Sequence, residues 1–460
     1  MSMRAFSIPR WTEYLPVKQA NRRIFFVLLT VGLLLRFLAV ATFHPPLISD
    51  DREYIALGTS LANGEGYQLE GHATAYRLPA YPLILAFFFR LFGASLLPVR
   101  LLQLLADMGS CLLIFMLGRK LFGERTGLLA MGLMAVFPIQ ILYVPMLMTE
   151  TLYAFFLLLI LWLVLGSNAT EVSILRCVGL GALIGWCTLM REITLILPLV
   201  LLIYAWRSKV PLRSLVRPIL ITSFVAALFV GPWLVRNYQT FERFAFTSNS
   251  GVNFWIGNHK GASGSYSFPV VNNPLRSVED DFERSDLGYK LGLEFIAGSP
   301  LNSCALVVKK YVYFFAADYW LMPLMEYKES WATYTHAVDV YREISLWNYA
   351  VVHIPFACIL ILATFGFVFA PGPESKKLSL LLMIACLWIA VHLVVYANAR
   401  YRFPIQPLLV LVAASGWSSI QSKSFQLTVG RTLIFTVLVA TYFSGWVVAL
   451  WLTWGSSFRF

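Results

Sequence analysis

Apolar runs of about twenty residues recur along most of this chain, and no other feature restricts its fold so strongly. A helix needs about 20 mostly apolar residues to cross a bilayer. Eleven segments are candidates: 24–43, 97–118, 126–145, 149–167, 174–190, 193–207, 218–235, 346–370, 378–396, 403–420 and 432–454. Hydrophobic residues make up 58% of the 460 and charged residues 13%, against roughly 25% charged in a soluble domain. A soluble core of this length cannot hide that much apolar surface. The balance also excludes a disordered, collagen-like or disulfide-stapled chain, which leaves an all-α polytopic membrane protein. The net charge of +12 then reads as basic cytoplasmic loops, and no nucleic-acid partner is expected.

The first span follows Arg4, Arg10, Lys18, Arg22 and Arg23, which places the N-terminus in the cytoplasm as an uncleaved first helix. Arg191-Glu192 interrupts the apolar stretch 174–207. A hairpin with Arg191 at its outer tip keeps Arg176 on one flank and Arg207, Lys209, Arg213 and Arg217 on the other, all cytoplasmic. With that choice the cytoplasmic segments hold 17 Lys and Arg and the short outer segments hold 7. Both long loops, 44–95 and 236–345, then lie on the outer (periplasmic) face of the inner membrane with 17 of the 24 acidic residues. The organisation expected is an N-terminal module 1–235 with its first outer loop 44–95, an outer loop 236–345, and C-terminal spans 346–460. Two stretches suit juxtamembrane helices: 81–93, too short to span, and the amphipathic pattern 291–320 flanked by Lys309 and Lys310.

Polar residues at the outer ends of spans are the candidates for chemistry. Ile48-Ser49-Asp50-Asp51-Arg52-Glu53-Tyr54 follows the first span. Ser49 or Asp50 suits the cap of a helix ending at Asn63-Gly64. One of the two adjacent carboxylates also suits a general base. Arg77, within Tyr76-Arg77-Leu78-Pro79, fits a partner for an acid or a phosphate, or a rigid entry to the 81–93 helix. Glu150, at the outer end of the fourth span, is a functional candidate because ionisable groups near hydrocarbon are costly. Arg191 and Glu192 suit a mutual ion pair. Arg236, Arg400 and Arg402 stand on the face where basic residues are few, which suits either phosphate binding or anchoring to headgroups.

No histidine pair has metal-ligand spacing, no two cysteines are spaced for a metal or a bridge, and no nucleotide loop joins a strand to a helix. No cofactor is demanded; a divalent cation at Asp50 and Asp51 is possible chemistry without a ligand pattern behind it.

In this order, these pieces resemble the GT-C-fold glycosyltransferases, in particular bacterial relatives of the protein O-mannosyltransferases and of the aminoarabinose lipid A transferase. The motifs are Asp50-Asp51-x-x-Tyr54, Gly64-Glu65-Gly66-Tyr67, Tyr76-Arg77-x-Pro79-x-Tyr81-Pro82, Glu150, the Gly-Pro-Trp-x-x-Arg-Asn run ending at Asn237, and Arg400-Tyr401-Arg402-x-Pro404-x-x-Pro407. The resemblance covers most of residues 20–420. It implies a GT-C fold of about 11 transmembrane helices with juxtamembrane helices on the outer face. The implied activity is an inverting transfer of a sugar from a polyprenyl-phosphate donor to a lipid, glycan or protein hydroxyl. Asp50 would be the base, Asp51 and Glu150 would orient the acceptor or balance charge, and Tyr54, Tyr76, Arg77, Arg191, Arg236, Arg400 and Arg402 would bind substrate. The chain departs from the lipid A transferase pattern near Arg77, where that group has a Glu-Lys-Pro run. A lipid-linked sugar flippase, wanting mid-span charges such as Arg36, Arg100 and Asp107, is the competing class; a non-catalytic envelope subunit is another.

Overall fold

The computed structural model describes residues 17–47, 50–166, 173–269, 273–316, 318, 321–326, 345–370 and 372–454. The capping expected of Ser49, the basic preface at Arg4 and Arg10, and the 327–344 part of the second loop lie outside them.

Helix α1 (Gln19–Thr42) is followed by a short helix α2 (Asp50–Ala62), a two-stranded ribbon of β1 (Gln68–Leu69) and β2 (His72–Ala73), and α3 (Ala80–Phe92). Gly64, at φ +80°, supplies the left-handed residue that ends α2. Glu70 and Gly71 both have positive φ between the paired strands, the backbone of a type I′ hairpin turn.

The bundle continues with α4 (Leu97–Phe122), α5 (Glu124–Val136), α6 (Pro138–Tyr143), α7 (Glu150–Leu165), α8 (Ile174–Thr188), α9 (Leu197–Arg207) and α10 (Leu212–Phe241). The second long connection carries α11 (Ser250–Gly257), α12 (Asp281–Gly298), α13 (Pro300–Phe315) and α14 (Leu321–Met325). The C-terminal part holds α15 (Leu346–Phe369), α16 (Gly372–Val394), α17 (Gln406–Gln421) and α18 (Val429–Trp454). Among the described residues six helices are long and apolar enough to cross a membrane, or seven if α12 and α13 make one broken span. The chain is a multi-pass membrane protein.

All eleven apolar segments form helix, but three are broken. Pro138 divides 126–145 into α5 and α6, because a residue before proline is pushed out of the helical region. A 3₁₀ turn, Glu192–Ile196, precedes α9, and another, Ala399–Ile405, precedes α17. The stretch 174–207 is a hairpin: α10 runs parallel to α8, with Thr222 donating to the Cys177 carbonyl and Gly185 packed on Ala226 and Phe229, so α9 returns in the opposite direction. The pattern 291–320 is not one helix. Pro300 opens α13 after a bend of 111° from α12, and Tyr319 lies outside the described residues.

Small residues let the helices approach closely where no water drives association. A Cβ on Gly118 of α4 would lie 2.8 Å from the Gly127 backbone of α5, and one on Gly366 of α15 would lie 2.6 Å from the Val412 carbonyl of α17. Arg36 and Asp107, two of the mid-span charges, bond to each other at 2.5 Å between α1 and α4. Arg36 also donates to the Met134 and Ala135 carbonyls, and Arg100 donates to the Pro145 carbonyl.

The two long connections meet at one end of the bundle. Ser248 N–H donates to the Ala75 carbonyl at 3.0 Å, and Ala80 N–H donates to Leu189 at the tip of the α8–α9 hairpin. That end carries the charged site.

Candidate active site

Asp50 and Glu53 stand in the first turn of α2, three residues apart and so on one face. Arg77 reaches both from the loop before α3, with Nη2 2.7 Å from Asp50 and Nε 2.5 Å from Glu53. The second oxygen of Asp50 lies 2.5 Å from Nη2 of Arg400. Nε of Arg400 is 3.0 Å from Glu150, and Nη2 of Arg191 is 2.7 Å from the same Glu150 oxygen. Three carboxylates and three guanidiniums thus alternate in one chain: Glu53, Arg77, Asp50, Arg400, Glu150, Arg191.

Each member is placed by local structure. Glu150 opens α7, where the helix dipole favours an anion. The backbone before it is held by Gln103 of α4, whose amide donates to Val144 and Met146 at 2.7 Å, and Gln103 in turn accepts from Tyr81 of α3. Arg400 starts the 3₁₀ turn, its N–H accepted by the Asn398 side chain. Arg191 is the extended residue at the hairpin tip and also donates to Thr149.

Tyr54 and Tyr76 flank Arg77, with its guanidinium 5.7 and 5.1 Å from their ring centres. Burial pushes both phenols up to about 12. Although burial opposes ionisation of Asp50, Arg400 and Arg77 overcome it and hold the carboxyl well below the ordinary carboxylate range. The resting site is therefore an internally neutralised cation cluster. Arg191 Nε is a buried donor with no acceptor among the described residues.

Not every expected residue joins. Asp51, one position from Asp50, is about 100° away around α2; it is buried and accepts from the Arg52 N–H. Arg236 donates to the Thr74 and Tyr67 carbonyls and lies over Tyr67, Trp233 and Phe241, fastening the first connection to α10. Arg402 is buried, donates to Phe314 and Ala316 carbonyls, and lies 3.8 Å over Phe356. The expected Arg191–Glu192 pair does not form, because Glu192 turns the other way and accepts from Thr247 and Ser250 at 2.7 Å. Glu53 and Thr149 are members that the sequence reading did not single out. The (i, i+3) spacing of Asp50 and Glu53 was the available signal.

Among the described residues no three His, Cys, Asp or Glu side chains cluster as metal ligands. Asp50, Glu53 and Glu150 are each bonded to arginine, an arrangement that does not fit a divalent cation. A groove of about 570 Å³ lies between α8, α9 and α10; none of the cluster's charged side chains lines it, and Thr188 and Leu195 are its wall residues nearest to Arg191 along the chain. Its lining is dominated by leucine, isoleucine, valine and alanine.

The folded chain is similar to the archaeal oligosaccharyltransferase AglB from Archaeoglobus fulgidus in complex with an inhibitory peptide and a dolichol-phosphate, at 12% identity and a TM-score of 0.50. The match covers 95% of this chain and 55% of that one. The apo form of the Archaeoglobus fulgidus oligosaccharyltransferase superposes with a TM-score of 0.51 at 13% identity, covering 94% and 56%. ArnT from Cupriavidus metallidurans bound to undecaprenyl phosphate gives 0.44 at 14%, covering 87% and 78%. The chain has the all-α fold of the GT-C membrane glycosyltransferases, and it spans a little over half the length of the archaeal enzyme. Within it, residues 74–235 match the family model described as dolichyl-phosphate-mannose-protein mannosyltransferase. No curated protein gives a significant match.

Proposed function

We propose that this chain is an inverting glycosyltransferase that moves a sugar from a polyprenyl-phosphate donor to a hydroxyl acceptor at the outer face of the inner membrane. The observation that carries the reading is the alternating chain from Glu53 to Arg191, which gathers three arginines at one bundle end; an apolar groove between α8, α9 and α10 supports it. Guanidinium forks match phosphate oxygens, and the groove suits an isoprenoid tail. The family model over 74–235, with dolichyl-phosphate-mannose in its description, and the dolichol-phosphate in the AglB complex support the same donor class. The outer-face placement rests on the basic bias of the opposite loops.

In this mechanism the donor phosphate competes with Asp50 and Glu150 for Arg77, Arg191 and Arg400. As the arginines turn to phosphate, Asp50 loses the cations that hold its carboxyl low and becomes a better base. It takes the acceptor hydroxyl proton while that oxygen bonds to the anomeric carbon from the face opposite phosphate. The bond from that carbon to the phosphate oxygen breaks, its electron pair leaves with the phosphate, and the arginines stabilise the charge. Glu150 keeps Arg400 and Arg191 in register, and Tyr54 and Tyr76 hold Arg77. The acceptor is a lipid, a lipid-linked glycan or a protein hydroxyl.

Binding of a polyprenyl phosphate to the purified chain in lipid nanodiscs tests the donor site. Arg77→Ala, Arg191→Ala and Arg400→Ala should each weaken binding about tenfold or more, with lysine restoring part of it. Donor affinity unchanged in all three would refute the phosphate role.

A further inference from the structure

A second cavity, of about 680 Å³, opens between the first connection and the start of α12. It is within the size range of small-molecule sites. Glu53, Glu70, Glu279, Asp280 and Asp281 line it, facing only Arg52 and His72 as basic wall residues. Glu53 is held by Arg77 and Asp281 by Arg284, while Asp280 caps α12. Glu70 and Glu279 have no partner for their carboxylates among the described residues. The cavity therefore keeps a net negative charge after its internal pairs are counted.

Independently of the acids, Ser248 lines the same cavity, is 1% exposed, and its hydroxyl finds no hydrogen-bond partner among the described residues. A buried hydroxyl without a partner is costly, and a polar ligand in the cavity would satisfy it. Three aromatic rings, Tyr76, Phe241 and Phe282, share the wall with the carboxylates.

We infer that this cavity is the acceptor site and that it takes a cationic glycan, one whose sugars carry amino groups. The inference rests on the transferase reading above. Ring faces suit the apolar C–H face of a pyranose, and the carboxylates suit ammonium groups on a rigid ring. A peptide cation would bring its charge on a flexible stem and lose more conformational freedom on binding. Glu53 and Tyr76 belong to both the cavity wall and the arginine cluster. Since Asp50 is one helical turn from Glu53, a glycan hydroxyl extending past Glu53 meets the proposed base.

The test uses the full chain in nanodiscs and two probes, the β-1,4-linked glucosamine tetramer and its fully N-acetylated counterpart. The amine form should bind about tenfold more tightly at low salt, and the preference should shrink as salt screens the charges. Glu70→Gln combined with Glu279→Gln should lower amine-tetramer affinity about five- to twentyfold, and Ser248→Ala about two- to fivefold. Thermal midpoints of the variants show whether they remain folded, and the salt titration on the unsubstituted chain needs no variant. Equal affinity for the two tetramers would overturn the inference, as would binding of a lysine-bearing peptide with none of either tetramer. Polyprenyl phosphate binding by the unsubstituted chain is measured in the same preparation. Its failure would sink the transferase reading; its success, with acceptor binding blind to charge, would sink only this inference.

Discussion

Asp50→Asn should make the enzyme bind its donor more tightly while nearly abolishing transfer. In the resting site Asp50 occupies one donor of Arg77 at 2.7 Å and one of Arg400 at 2.5 Å, with all three side chains less than a fifth exposed. A hydrogen bond to a charged group is worth about 1.5–3 kcal/mol net, and an incoming phosphate must displace about one of these. Asparagine keeps the shape and one acceptor oxygen but loses the charge, so about 0.7–2 kcal/mol of that competition disappears. The donor dissociation constant should fall about 3- to 30-fold. Transfer, in contrast, should fall about 10²–10⁴-fold, the usual worth of a general base. Two measurements on one preparation decide it: polyprenyl phosphate titration in nanodiscs, and transfer from a polyprenyl-phosphate sugar under saturating donor. Weaker donor binding would show that Asp50 helps hold the phosphate rather than competing with it. Transfer at the unsubstituted rate would move the base role to Asp51 or Glu150.

The same pairing gives a pH dependence. The folded-state pKa of Asp50 lies below its unfolded value, so its stabilising contribution is complete above about pH 4 and is lost as pH falls from there toward the folded value; thermal midpoints of Asp50→Asn and the unsubstituted chain should therefore converge only below about pH 4. A side chain at Gly58 would place its Cβ 2.7 Å from Leu85 Cβ, where α2 packs on α3, so Gly58→Ala should cost about 1–3 kcal/mol and lower transfer by shifting Asp50; an unchanged midpoint would contradict the close packing. With exposed Cys304, Cys358 and Cys386 replaced, single cysteines at Glu65 and Arg276 should both react with a membrane-impermeant maleimide from outside the cell, and one at Lys423 should not; opposite labelling of the first two would break the shared-face topology.

The helical architecture was readable because hydropathy reports burial in lipid directly. Breaks within it were less visible, since apolar residues continue through Phe137-Pro138 and through Ile196-Leu197, and a window average does not register a change of direction. For the site, the sequence supplied the residue types but not their partners. Arg400 and Arg402 looked equivalent, yet a 3₁₀ turn advances about 120° per residue. Residues two apart therefore leave in different directions, one toward Asp50 and the other toward the Phe314 carbonyl. Arg191 and Glu192 looked like a pair because they are neighbours. The turn between α8 and α9 sends one to α7 and the other to the second long connection. Arg236 stood in the expected motif, but its donors fasten loop backbone. An arginine's role here follows from which carbonyls the fold leaves without partners, and that is a long-range property.

The resting ion-pair chain also bears on how the proposed phosphate site would survive at a membrane surface without its ligand. Three arginines brought together with no counter-charge would repel one another, and desolvating each would cost several kcal/mol. Asp50, Glu53 and Glu150 remove that cost, and all three stand in the first turns of α2 and α7, where helix dipoles stabilise anions. The dipoles would favour a donor phosphate arriving at the same place for the same reason. Anchoring the acids on helix starts therefore yields a site that is neutral when empty and anion-selective when an arginine is released. The opposite arrangement, with arginines on the helix starts and acids on the loops, would set both dipoles against the cations. Its bundle end would be less stable before any donor arrived.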